Sequence, residues 1–313
     1  MPVPMLSRRT VLTPDTAMQV RGLEARARAL DGMGALSEQA LLWLDAVGRV
    51  QHLLAYADDT LAGYAQVAVV DDEASAELVV DPDHRRHGVG RALLDAVAMQ
   101  APGARVWAHG NLAPARALAA SAGWEVAREL HKMARPLSTD DLAPDRVALP
   151  DGFWARTFEP GRDEQAWLET NAAAFAHHPE QGRLGLADLA ERMAQGWFDP
   201  EGLIIVETRE APGRVAAFHW TKVDPEQLSS LDPSRTAGEV YVVGVHPAYQ
   251  GRGLGRPVTA LGLAHLARLG LPEVVLYVDG DNRAAVRTYT GLGFRSIMVD
   301  VMYSHPVHLV PAG

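Results

Sequence analysis

Short apolar runs alternate along this chain with stretches of helical periodicity, and the same succession occurs twice. In the first pass, helical spacing over Thr16–Asp31 and Glu38–Val47 precedes strand-like runs at Leu53–Tyr56 and Ala62–Val69. In the second, helical spacing over Glu164–Phe175 and Ala187–Gly196 precedes runs at Leu203–Glu207 and Ala216–Val223. Each pass then reaches an apolar run closed by proline, Val80-Asp-Pro82 or Val245-His-Pro247, and a glycine turn that opens a helix. A strand (Arg105–Ala108; Val274–Val278), a helix (Pro114–Ala122; Arg283–Leu292) and a final strand close each pass. Pro82 stands to Gly88 as Pro247 stands to Gly253, and Gly123-Trp124 echoes Gly293-Phe294. A repeat this long is a duplicated domain, and strands mixed with crossover helices predict an α/β (α+β) sheet in each copy. The expected domains are 1–135 and 153–313, with the Pro- and Asp-rich segment 136–152 as linker.

The second glycine turn is the chemically suggestive stretch. Val240 to Val245 reads as a buried strand, and Gly244 within it predicts a bulge or a close backbone approach by a ligand. Gln250-Gly-Arg-Gly-Leu-Gly255 then leads into a helix over Arg256–Arg268. Backbone N–H groups at such a turn, beside the positive end of the helix dipole, suit a phosphate. A Walker A loop is excluded because no Gly-Lys-Ser/Thr closes the turn. The dinucleotide fingerprint is excluded because Val258 stands where its third glycine belongs.

Composition narrows the choice of partner. A net charge of −10 argues against nucleic acid, so an anionic cofactor must be held by a local cluster of donors. With no cysteine, thiolate catalysis and Cys-based zinc sites are excluded. His177-His178 and His219 lack the carboxylate–His spacing of a metal site, and no metal is expected. No apolar run is long enough to span a membrane, and a cytoplasmic protein acting as a monomer is expected.

The bulged strand, Val-x-Pro and Gln-x-x-Gly-x-Gly resemble the pyrophosphate loop of the GNAT acetyltransferase superfamily. The resemblance implies two tandem domains, each a mixed β-sheet flanked by helices, with acetyl-CoA as cosubstrate. Five stretches are similar to the mycothiol synthase family: Asn171-Ala-Ala-Ala-Phe-Ala-His-His-Pro-Glu-Gln-Gly182, Trp197-Phe-Asp-Pro-Glu-Gly202, Phe218-His-Trp-Thr-Lys222, Gly238-Glu-Val-Tyr-Val-Val-Gly-Val245 and Leu276-Tyr-Val-Asp-Gly-Asp-Asn-Arg-Ala-Ala-Val-Arg-Thr-Tyr289. Trp107-Ala-His-Gly110 and the Glu38 region fit as well, so the resemblance spans the chain. That family acetylates the cysteinyl amine of a cysteine–glucosamine–inositol conjugate.

Amide formation from a thioester needs a neutral amine, a stabilised oxyanion and a proton for the departing thiolate. Glu239, at the start of the strand, is the candidate base, acting through water as the resemblance implies. Tyr289, two helical turns beyond Asn282, is the family's candidate acid. Expected coenzyme contacts are Val243, Gly244 and Val245; Gln250, Gly251, Arg252, Gly253, Leu254, Gly255 and Arg256; and Asn282, Arg283, Ala284, Ala285, Val286 and Arg287. The resemblance carries acceptor contacts onto Glu38, Glu180, Lys222, Glu239 and Tyr277. In the first copy Ala74 and Ala119 occupy the positions of Glu239 and Tyr289, so no transfer is expected there. Leu78, Val79, Val80, Arg86, His87, Gly88, Val89, Gly90 and Arg91 could still hold a coenzyme, or could survive as scaffold. Two alternatives stay open: an acetyltransferase for another small amine, and a non-catalytic acetyl-CoA sensor.

Overall fold

The computed structural model describes residues 4–48, 50–70, 73–143, 147–176 and 179–305, with residues 70, 179 and 180 described by backbone alone. Contacts divide the chain into two units, one comprising Met1–His131, Asp279–Asp281 and Met298–Gly313, the other Lys132–Val278 and Asn282–Ile297.

In the first unit, β1 (Met5–Arg9), β2 (Val50–Ala57), β3 (Thr60–Val70) and β4 (Glu73–Val80) pair antiparallel in that order. Strand β5 (Arg105–Ala108) runs parallel to β4. Its other edge takes residues 301–304 of the last strand antiparallel. Helix α1 (Pro14–Asp31) starts where Thr13 accepts a 3.2 Å hydrogen bond from the Thr16 N–H, and ends at left-handed Gly32. Its buried Val20, Leu23 and Ala27 recur at helical spacing and cover one face of the sheet with Leu44, Leu54 and Tyr64. Helices α3 (Val89–Gln100) and α4 (Ala113–Ala122) cover the other face through Leu93, Val97 and Ala119. A short helix α2 (Glu38–Leu42) ends earlier than the periodicity predicts and continues as a 3₁₀ turn over Trp43–Asp45.

The second unit repeats the order. After β6 (Glu125–Pro136), strands β7 (Phe153–Thr157), β8 (Leu203–Thr208), β9 (Ala211–Lys222) and β10 (Gly238–Val245) pair antiparallel, and β11 (Glu273–Asp279) runs parallel to β10. Helices α5 (Glu164–Ala174), α6 (Pro179–Gly182) and α7 (Leu186–Met193) precede β8. One face packs Trp167, Leu189, Phe218 and Trp220. On the other, α8 (Gly255–Arg268) and α9 (Arg283–Gly291) contribute to a core with Leu263, Leu266, Leu276 and Phe294. The last strand is β12 (Arg295–Ser304).

Three details depart from the sequence pattern. The opening strands β1 and β7 are unannounced, because as sheet margins they carry little burial; in β1 only Ser7 is half-buried. The expected linker holds a capped 3₁₀ turn, Thr139–Leu142, whose Asp141 is buried against Arg135. The bulge in β10 falls between Val240 and Val242, not at Gly244. A Cβ on Gly244 would come within 2.6 Å of the Phe218 ring, so core packing alone requires glycine there.

Candidate active site

Glu239 is the second residue of β10 and stands directly across from Lys222 of β9. It is half-buried, and burial pushes its carboxyl above the usual range, with the Lys222 and Lys132 charges pulling it part of the way back. A carboxylate held there without charge-assisted hydrogen bonds is a stronger base than an exposed one. Tyr277 on β11 is 42 % exposed, and the Lys132 ammonium sits 5.5 Å above its ring.

Beyond β10, a 3₁₀ turn over Pro247–Tyr249 leads to the glycines, where Gly253 has φ +78° and α8 begins with no side-chain cap. Its first N–H groups are therefore left for an anion. Leu254 is buried, so only its backbone faces that task, and Gln250 donates to the Val245 carbonyl at 3.2 Å. The Arg252 guanidinium lies 5.2 Å over the Tyr249 ring. Asn282 caps α9 by accepting from the Ala285 N–H at 3.1 Å, which spends its side-chain oxygen on the helix. Tyr289 on α9 packs against Phe294 with ring centroids 5.8 Å apart, and burial pushes its hydroxyl up to about 12. It stays protonated throughout the neutral range.

Of the other expected residues, Glu38 lies in the first unit at the start of α2, and Glu180 falls on α6, where the backbone alone is described. His177 and His178 lie outside the described residues. His219 is fully buried, meets the Val258 carbonyl at 3.1 Å and is lowered by burial to about 4, which makes it a neutral core residue. Among the described residues no cluster of three or more His, Asp or Glu is arranged to hold a metal.

The first unit contains a cavity of about 910 Å³ lined by Val80, Arg86, Gly88, Gly90, Trp107 and His109, among others. Gly88 has φ +83° with open space at its Cβ, whereas a Cβ on Gly90 would meet Leu118 at 3.2 Å. Gly90 is thus needed by helix packing, and Val89 is buried in the core. Arg86 sits in the left-handed region at φ 65°. The neighbouring Arg85 is held by both oxygens of Asp31, at 2.8 and 2.7 Å, so of the arginine pair it is Arg86 that faces the cavity without that tie. Arg91 reaches Asp95 at 2.8 Å.

Sequence reasoning missed a cluster on the cavity wall. His109 has Glu77 and Asp300 each at 3.5 Å, one on either ring nitrogen. Glu77 in turn accepts from the Ser37 hydroxyl at 2.7 Å, and Asp300 accepts from the Gly110 N–H at 2.7 Å. Burial disfavours the imidazolium, but Asp300 and Glu77 outweigh it and lift His109 to about 9. The folded-state value lies above the ordinary 6.5, so the cluster stabilises fully below pH 6.5. That contribution is lost as pH rises through about 9. The shift corresponds to about 3 kcal/mol. Denaturation midpoints of the first unit between pH 6 and 10 should fall across this window, and His109→Gln should flatten the dependence.

Residues 48–126 match the acetyltransferase (GNAT) domain family, and residues 162–294 match the acetyltransferase (GNAT) family. A mycothiol acetyltransferase of Thermomonospora curvata is 52 % identical over 298 residues, covering 94 % of this chain and 95 % of the relative. Another, of Thermobifida fusca, is 50 % identical over 309 residues, covering 93 % and 95 %. The chain belongs to the mycothiol acetyltransferase family. Membership makes it an acetyl-CoA-dependent N-acyltransferase built from two GNAT domains. The tandem fold recurs in a GCN5-related N-acetyltransferase of Sphaerobacter thermophilus (TM-score 0.69, 24 % identity, covering 96 % and 95 %). It recurs also in a tandem GNAT protein from the clavulanic acid biosynthesis pathway (TM-score 0.64, 19 % identity, covering 96 % and 98 %). No helix among the described residues is long and apolar enough to cross a membrane.

Proposed function

We propose that the second unit transfers the acetyl group of acetyl-CoA to the cysteinyl amine of a cysteine–glucosamine–inositol conjugate, giving mycothiol and free coenzyme A. The observation that carries this reading is the half-buried Glu239, its carboxyl raised by burial, on the strand that leads into the glycine turn and uncapped α8. The amine nitrogen attacks the thioester carbon, the carbon–nitrogen bond forms and the carbon–sulfur bond breaks. The proton lost by the amine passes through water to Glu239. The strand segment Val243, Gly244 and Val245 is assigned the developing oxyanion, which its N–H groups turned away from β9 would meet, while the residues from Gln250 to Arg256 and from Asn282 to Arg287 take the coenzyme. Lys222 and Tyr277 of this unit are assigned to the acceptor.

Tyr289 serves as the general acid: its hydroxyl, raised by burial to about 12, keeps its proton at neutral pH and gives it to the sulfur as the carbon–sulfur bond breaks. Tyr289→Phe should therefore slow kcat by roughly ten- to a hundredfold, ~1.4–2.7 kcal/mol of barrier, with the acetyl-CoA dissociation constant little changed. An unchanged kcat would leave Tyr289 as a packing residue.

The first unit is assigned a coenzyme that it holds without transferring, supported by the cavity, Gly88 and Arg86. The direct test incubates the protein with acetyl-CoA and the cysteinyl conjugate and follows acetylated product and coenzyme by chromatography with mass detection. The acceptor's own thiol makes a thiol reagent unsuitable. One coenzyme released per N-acetylated conjugate is expected, with polyamines and aminoglycosides inert. Comparable kcat/KM on those amines would overturn the acceptor assignment.

A further inference from the structure

Glu239 and Lys222 are register partners on neighbouring antiparallel strands, so their side chains start on the same face of the sheet. Opposed carboxylate and ammonium groups at that separation ordinarily join. Here the close ion pair of Lys222 is made with another carboxylate. Its ammonium lies 3.0 Å from an oxygen of Asp224, two residues along its own chain, and 5.2 Å over the Trp197 ring. The Tyr241 ring, on the bulged part of β10, is 6.0 Å from it.

Asp224 is itself fixed. Its other carboxylate oxygen accepts from the Glu226 N–H at 3.1 Å, and its carbonyl accepts from the Gln227 N–H at 2.9 Å. The loop that follows is tied down by Glu273, which accepts from the Ser229 hydroxyl at 2.9 Å and the Ser230 N–H at 2.6 Å. The position of Asp224 is therefore set by the loop, independently of the lysine.

We propose that Asp224 is a positioning residue that, with the Trp197 and Tyr241 rings, holds Lys222 away from Glu239 and so keeps the base from being neutralised by an ion pair. The inference rests on Glu239 as the base. The charged and titratable groups near Glu239 among the described residues are Lys222 from β9, Lys132 from β6, Asp224 from the loop after β9, Tyr277 from β11 and Tyr241 on its own strand. Burial, the Asp224 hydrogen bond and the Glu239 charge act together on Lys222, and the last two outweigh the first to keep it cationic. A cation so placed has two carboxylates within reach, and the loop decides between them.

The test is Asp224→Asn, which keeps the acceptor for the Glu226 N–H and removes the charge. The Glu239 carboxyl is titrated by carbon-13 NMR of labelled protein without substrates, and kcat/KM is followed against pH. With Lys222 released onto Glu239, the carboxyl titration should fall by about one to three units, the effect of an opposite charge at close range. The acid limb of kcat/KM should move down with it. Asp224→Glu should restore part of the shift, and in a Lys222→Met background Asp224→Asn should move the titration far less. An unmoved Glu239 titration in Asp224→Asn, or an equal movement in the Lys222→Met background, overturns the proposal. A moved titration with an unmoved acid limb upholds the positioning of Lys222 and removes Glu239 as the base.

Discussion

Glu239→Gln is expected to lower kcat by about 10²–10⁴-fold, the range typical of a lost general base, with acetyl-CoA affinity near that of the unsubstituted protein. The argument begins with the strand. Residue 239 opens the alternation of β10, and its side chain is half-buried on the face shared with Lys222. Gln keeps the shape and loses the charge, so the amine must then give its proton to solvent unaided. Stability should change little or rise, because burial already disfavours the carboxylate. The raised carboxyl also fixes the sign of the pH dependence. Glu239 must be ionised to act, so activity falls as pH drops through a value above the ordinary carboxylate range, and that limb should vanish in the variant. Near-normal turnover across pH would remove Glu239 from the mechanism.

Gly255→Glu should abolish coenzyme binding in the second unit and with it turnover, whereas Gly88→Glu should leave turnover measurable. At Gly255 nothing lies within 4 Å of an added Cβ, and the backbone is not in the left-handed region. An acidic residue in the first turn of α8 also favours the helix. The fold should therefore accept Gly255→Glu, and lost activity would report the negative side chain standing where pyrophosphate belongs. Gly88 is different, since its φ of +83° adds strain on the order of 1–2 kcal/mol for any side chain. Because the β10 bulge is absent from β4, Ser75 and not the expected Ala74 holds the register position of Glu239, and Ala119 answers Tyr289 along the repeat, so blocking the first cavity should remove no transfer step. Equilibrium dialysis with acetyl-CoA beside steady-state turnover separates the two variants. A folded, inactive Gly88→Glu together with an active Gly255→Glu would mean that the first unit does the chemistry.

The duplicated order of strands and helices was legible because the cores are dense and periodic, as in the fully buried β8 and the Val20-Leu23-Ala27 stripe. The glycine turns were legible for a related reason: backbone geometry at Gly88 and Gly253 restricts the residue type. Side-chain partnerships between distant residues were not. Nothing local distinguishes Arg85, spent on Asp31, from Arg86, which faces the cavity. Nor does the sequence announce that Asp224 takes Lys222 from its cross-strand partner, because that choice depends on a loop fixed by Glu273. The clamp on His109 was not legible either, since its two carboxylates come from positions 77 and 300.

That last separation bears on how the protein is made. Strand β5 is flanked on one side by β4 and on the other by residues 301–304, and Asp300 contributes to the clamp on His109. During synthesis the first unit therefore waits, with one edge of β5 unpaired, until residues 301–304 have left the ribosome. The second unit, whose contacts end at Ile297, meets its last residue sooner. The half that is translated first is thus the half that can finish folding last.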